Sequence, residues 1–180
     1  LELIIRRGLE ADEPGMYGPA MVLQAWEFGI LTDVFGDVPY SEAFRADEGI
    51  LSPGYDEQAA IYADLFAQLE EASTALGSAA NLLGTADPIY EGDPQLWQKF
   101  ANSLRARHAL RVVNVDRPTT DAELQAAFTA PGGLITDNDE NAQMAWPGDG
   151  VYDNPWAANF KSRDDHRIST RLITYLRDFA

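Results

Sequence analysis

Two stretches, residues 55–76 and 93–114, repeat apolar side chains every three or four positions. Nothing elsewhere alternates with the period of two that a half-buried strand needs. In the first stretch Ile61, Leu65, Leu69, Ala72 and Leu76 form one stripe. Asp56 is the expected N-cap, Glu57 suits the positive end of the helix dipole, and Gly77 is a stop. In the second, Asp93 is the expected N-cap and Pro94 the first helical residue. Trp97, Phe100, Ala101, Leu104, Ala109 and Val113 line its apolar side, and Arg105, Arg107 and Arg111 crowd its C-terminal half, where the dipole favours cations. Trp97 reads as core, and Asn102 in mid-helix reads as a buried hydrogen bond to a loop backbone. Helices of this kind must bury a face against other helices, so the expected fold class is all-α.

The other segments fit between these two. Residues 1–9 read as the tail of an amphipathic helix, and residues 10–19, with two Pro and two Gly, as a loop. Residues 20–34 read as a helix whose apolar face is Leu23, Trp26, Ile30 and Val34. Gly36 and Pro39 break it, with Asp37 as a turn residue, and residues 44–54 and 78–92 read as loops. Thr120-Asp121-Ala122-Glu123 has the form of a capping box that opens a short helix to Ala130. Residues 134–159 read as one long irregular stretch, and Ile168, Leu172, Ile173, Leu176 and Phe179 mark a last helix. The expected organisation is a single region, 1–180. Helix pairs occupy about 20–76 and 93–130, residues 131–165 are loop-rich, and a final helix covers 166–180. Paired helices of this kind are stacked as in tetratricopeptide proteins, although the strict 34-residue signature is missing.

Composition narrows the function. The 180 residues carry 29 Asp and Glu against 13 Lys and Arg, a net charge of −16. A surface so acidic argues against nucleic acid, which needs a basic face. No cysteine is present, so no disulfide, thiolate metal site or cysteine nucleophile is available. Residues 118–160 hold seven acids and no base. That stretch reads either as solvated surface or as an acidic patch for Ca²⁺ or a neutral polar ligand. No apolar run is long enough to span a membrane. The sequence starts at Leu1 without Met and stops within a helical pattern, so it reads as a fragment of a longer protein.

Catalytic signals are scarce. His108 sits among arginines and reads as structural, while His166 follows Asp164 and Asp165 in a polar turn. Sequence patterns for zinc proteases, serine hydrolases and phosphate loops do not occur. No catalytic residue, metal site or cofactor is expected. Residues 137–141 are oxygen-rich but lack the order of a calcium loop, and read as a solvated turn. The best recognition candidates are Trp146, Asp149, Tyr152, Asn154 and Trp156. Aromatic rings cover the apolar faces of sugars, and Asp and Asn bond their hydroxyls. The competing reading is that Trp146 and Trp156 anchor a long loop.

Several segments, in order, resemble one family. Leu31-Thr32-Asp33-Val34-Phe35-Gly36-Asp37-Val38-Pro39-Tyr40-Ser41-Glu42-Ala43 is similar to the signature of SusD/RagB-type outer-membrane nutrient-binding lipoproteins. Tyr55-Asp56-Glu57-Gln58 with Ile61-Tyr62, then residues 87–93, resemble its next helix start and loop. Trp97-Gln98-Lys99-Phe100-Ala101-Asn102-Ser103-Leu104-Arg105, with Arg107 and Arg111, resembles its arginine-bearing helix. Asn154-Pro155-Trp156 and Arg167-Ile168-Ser169 also fit. The resemblance implies a mostly helical, tetratricopeptide-like fold and non-catalytic capture of a nutrient, foremost an oligosaccharide or other glycan. It further implies delivery to a SusC-like TonB-dependent transporter and a place on the outer-membrane surface, with the lipid anchor outside this fragment. Within that scheme Arg105, Arg107 and Arg111 are expected to pair with Asp33, Asp37 or Glu42. The alternatives are a helical-repeat scaffold for a protein partner and a glycoside hydrolase.

Overall fold

The computed structural model describes residues 1–162 and 168–179, so His166 and Arg167 lie outside the described residues. Helices α1 (Glu2–Glu10), α2 (Pro14–Phe35), α3 (Gln58–Leu76), α4 (Pro94–Arg111), α5 (Arg117–Thr129), α6 (Pro155–Ser162) and α7 (Thr170–Phe179) follow in order. The described residues contain no strand, only an isolated antiparallel bridge between Val38 and Asp56. The fold is all-α and tetratricopeptide-like. The chain divides into two compact units, Leu1–Gln143 and Met144–Ala180.

In the first unit each helix packs on the next from α1 to α5, and α4 also touches α2. The core lies between Val22, Ala25 and Phe28 of α2, Ile61, Leu65 and Leu69 of α3, and Trp97 and Leu104 of α4. The stripe expected on α3 is buried throughout; that on α4 is buried at Trp97, Ala101, Leu104 and Ala109, with Phe100 half-buried and Val113 beyond the helix, which ends at Arg111 rather than 114. Burying each such side chain contributes roughly 1.5–3 kcal/mol.

The expectation for α2 needs two corrections. The loop expected over residues 10–19 shrinks to a turn at 11–13, because α2 starts at Pro14 and runs through Pro19. Pro14 occupies the first turn, where no N–H is needed. Pro19 forfeits a single helical bond, and the buried surface of Tyr17, Ala20, Met21 and Val22 outweighs it. The apolar face was also misplaced. Leu23 is half-buried, Trp26 and Ile30 are exposed, and Val34 is 66% exposed. Since α2 is apolar all round, two stripes compete. The stripe with small residues wins because it lets α4 approach closely. A Cβ on Gly29 would lie 2.3 Å from Cε1 of His108.

Two further helix starts in this unit differ as well. Asp56 does not cap α3; its carboxylate accepts from the backbone N–H of Tyr40 and of Ser41 and from Ser41 Oγ. Asp37 reaches across instead and accepts from Gln58 N at 2.9 Å. α5 starts at Arg117 rather than Thr120, because Asp116 accepts from Thr119 N. Thr120 is buried and donates to the carbonyl of Ala109. Asp93, as expected, caps α4 through Gln95 N and Leu96 N.

The second unit holds a helix where loop was expected. Asn154 accepts from Trp156 N and Pro155 takes the first position of α6. The Asn-Pro pair was the signal for it. α7 begins at Thr170, later than the expected 166.

Candidate functional site

Several polar residues of the family-like segments, Asp87, Asn102 and Arg105 among them, are buried. Asp87 is 5% exposed and accepts from Trp97 Nε1 at 2.6 Å, from Gly92 N and from Ile89 N. Tyr90 stands edge-on to Trp97, 5.3 Å between ring centres, and its hydroxyl donates to the carbonyl of Glu140. Lys99 pairs with Glu140 and holds that carboxyl at about 2. Glu140 thus tethers the turn at 137–141, whose other four residues are exposed, as expected of a solvated turn. Among the described residues no group of three or more His, Asp or Glu is placed to hold a metal ion.

The arginines only partly follow expectation. Arg111 meets Asp33 at 3.4 Å. Arg105 instead pairs with Glu123 at 2.5 Å and Glu70 at 3.0 Å, because its side chain emerges toward α3 and α5. Asp37 and Glu42 bond the backbone of Gln58 and Gly54. Asn102 is 1% exposed; its Nδ2 donates to the carbonyls of Pro131 and Gly133, and its Oδ1 accepts from Ser73 Oγ. His108 is buried against the edge of Tyr62, and burial pushes its imidazole down to about 4, which keeps it neutral.

The proposed recognition residues all belong to the second unit. Tyr152 and Trp156 are 65% and 63% exposed, and Trp146 is partly exposed. The segment between them is tightly turned. Oδ1 of Asp149 accepts from Val151 N at 2.9 Å and Tyr152 N at 2.8 Å. Those bonds hold the Asp149 carboxyl below its ordinary range. Asp153 accepts from Gly150 N and pairs with Lys161. Gly148 and Gly150 sit at φ +69° and +89°, where a Cβ would be strained. Thus Asp149 fixes the backbone of Tyr152, and Asn154 fixes that of Trp156. The polar members set the position of aromatic rings that lie open to solvent.

Sequence reasoning missed the cavities of the first unit. One of about 420 Å³ is lined by Asp33, Tyr62, Phe66, Arg111 and Val112. Its phenol, Tyr62, donates to Asp33 at 2.5 Å. Two more adjoin Phe44, a residue that reads in sequence as the edge of a polar loop.

Stacked helix pairs of this kind define a tetratricopeptide-like, helical-repeat class of protein. Comparison then places the chain within it. Residues 3–180 match a SusD-like family model described as "Starch-binding associating with outer membrane". This chain belongs to the SusD-like family. A SusD homolog from Bacteroides uniformis superposes with a TM-score of 0.79 at 28% identity, over 90% of this chain and 33% of that one. A protein described as chitin-binding gives 0.78 at 34% identity, over 92% and 34%. A chitin-binding SusD homolog from Flavobacterium johnsoniae gives 0.72 at 29%, over 82% and 31%. The chain thus spans about a third of the length of these solved structures. No curated protein matches its sequence.

Proposed function

We propose that this protein is a non-catalytic binder of oligosaccharide at the outer-membrane surface, held there by a lipid anchor outside these residues. It passes its ligand to a SusC-like TonB-dependent transporter. The family description and the two chitin-binding neighbours support a polysaccharide ligand. The observation that carries the reading is the turn at 146–156, which holds Trp146, Tyr152 and Trp156 in solvent on a backbone fixed by Asp149 and Asn154. Exposed rings stack on the C–H faces of a sugar, and a carboxylate such as Asp149 accepts from its hydroxyls. Exchange with the transporter then needs only a difference in affinity, with no bond broken.

Calorimetric titration with maltoheptaose and chitohexaose tests this. One of them binds the parent, and Trp146→Ala and Trp156→Ala each weaken it at least tenfold. Binding equal to the parent in both variants sinks the loop as the site, and no binding by the parent to either sugar counts against a starch- or chitin-type ligand.

A second reading, a scaffold for a protein partner, is favoured by the apolar face that α2 leaves exposed at Trp26, Ile30, Val34 and Phe35.

A further inference from the structure

Phe44 sits where its side chain costs the fold something and returns little. Its φ is +63°, in the left-handed region that crowds any Cβ. A non-glycine residue there is strained, and glycine would avoid that strain. The ring it carries is 63% exposed. Among the described residues its one aromatic contact is edge-on to Phe28 at 6.1 Å between centres. Stability alone therefore favours glycine at this position.

The surroundings of the ring explain what a phenyl could do. Two hollows, of about 320 and 510 Å³, share Glu2, Gln24, Phe28 and Phe44. Both volumes fall in the range of small-ligand sites. Tyr40 joins the first hollow, packed edge-on to Phe28 at 4.7 Å. The polar rim is rich in acceptors. Glu71 borders one hollow and Glu27 the other, and neither makes a hydrogen bond or ion pair among the described residues. Two guanidinium groups border the hollows and already hold carboxylates: Arg45 pairs with Glu48 at 2.6 Å, and Arg6 with Asp47 at 3.0 Å and Glu2 at 3.5 Å. Glu2 is already met by Gln24 Nε2 and Arg6, so the unpaired carboxylates are Glu27 and Glu71, which call for a ligand that brings hydroxyls and repel an anion. An aromatic face beside them suits apolar C–H surfaces. Together those features describe a neutral saccharide.

We propose that Phe44 is the stacking platform of a saccharide subsite on the first unit, with Glu27 and Glu71 receiving hydroxyls in the hollows on either side. The subsite rests on the reading of the protein as an oligosaccharide binder, but not on the loop at 146–156. It gives a chain-like ligand a place on each unit.

Phe44→Gly separates binding from folding, because it removes the ring and relieves the backbone together. Calorimetry with maltoheptaose and chitohexaose, beside thermal melting, reads both. The expected result is a fall of at least tenfold in affinity with Tm unchanged or raised, and affinity regained in Phe44→Trp. Affinity in Phe44→Gly equal to the parent overturns the proposal, as does a clearly lowered Tm, which would make the ring a packing element. If Phe44→Gly binds normally while Trp146→Ala and Trp156→Ala do not, this subsite falls and the general reading stands. A parent that binds neither sugar overturns both.

Discussion

Asn102→Asp changes one atom of a buried side chain and should cost far more than its size suggests. Asn102 is 1% exposed, and its Nδ2 donates to the carbonyls of Pro131 and Gly133 at 3.0 Å each. A carboxylate there would set a negative oxygen against two carbonyl oxygens, with only Ser73 Oγ still able to donate. An uncompensated buried charge costs about 3–5 kcal/mol. Protonation relieves most of this: a neutral carboxyl donates one bond and loses the other, a penalty of about 1–2 kcal/mol. The variant's carboxyl is thus raised in the folded state relative to the unfolded one. Its destabilisation is therefore smallest below the ordinary carboxylate range and grows as pH rises through and above it. Urea unfolding of parent and variant at pH 4 and pH 7 should show the difference between them widening by about 2–3 kcal/mol at the higher pH. Asn102→Ala, which cannot ionise, should show a constant difference. A cost in Asn102→Asp that is equal at both pH values, or below about 1 kcal/mol at pH 7, would refute the burial argument.

Two more outcomes follow from burial. His108 is neutral and pushed down to about 4. Its folded pKa lies below the unfolded one, so its contribution is complete above about 6.5 and is lost as pH falls from there to about 4, about 3 kcal/mol in all. His108→Leu should flatten that limb of a stability–pH curve, and an unchanged limb would show another group responsible. Phe28→Ala should cost about 3–5 kcal/mol in chemical denaturation, whereas Val34→Ser should stay within about 0.5 kcal/mol. Equal costs would mean that the outward face of α2 is covered.

Much of the helical scaffold was legible because its signals are local. Asp93-Pro94 opens α4, and the stripes of α3 and α4 allow one buried face each. The stripe of α2 was not legible, since apolar residues surround the helix and only the small residues Gly29 and Ala25 decide which side α4 approaches. Long-range capping was equally hidden: no spacing rule links Asp37 to Gln58 or Arg105 to Glu70 and Glu123. At the candidate site, sequence located the aromatics Trp146, Tyr152 and Trp156. It did not show that Asp149 and Asn154 would bond backbone. Phe44 escaped notice because its unusual feature is a dihedral angle, which composition does not report.

The segment around Gly36-Asp37-Val38-Pro39-Tyr40 behaves as a clasp. Asp37, Glu42 and Asp56 each close on backbone amides of the same chain, at Gln58, Gly54, Tyr40 and Ser41. A motif whose carboxylates bond backbone amides of its own chain serves closure, whatever the protein captures. Relatives recognised by it can share this frame and still part ways in diet. A screen meant to sort such proteins by the nutrient they take should therefore compare exposed rings such as Phe44, Tyr152 and Trp156, and leave the clasp out of the alignment.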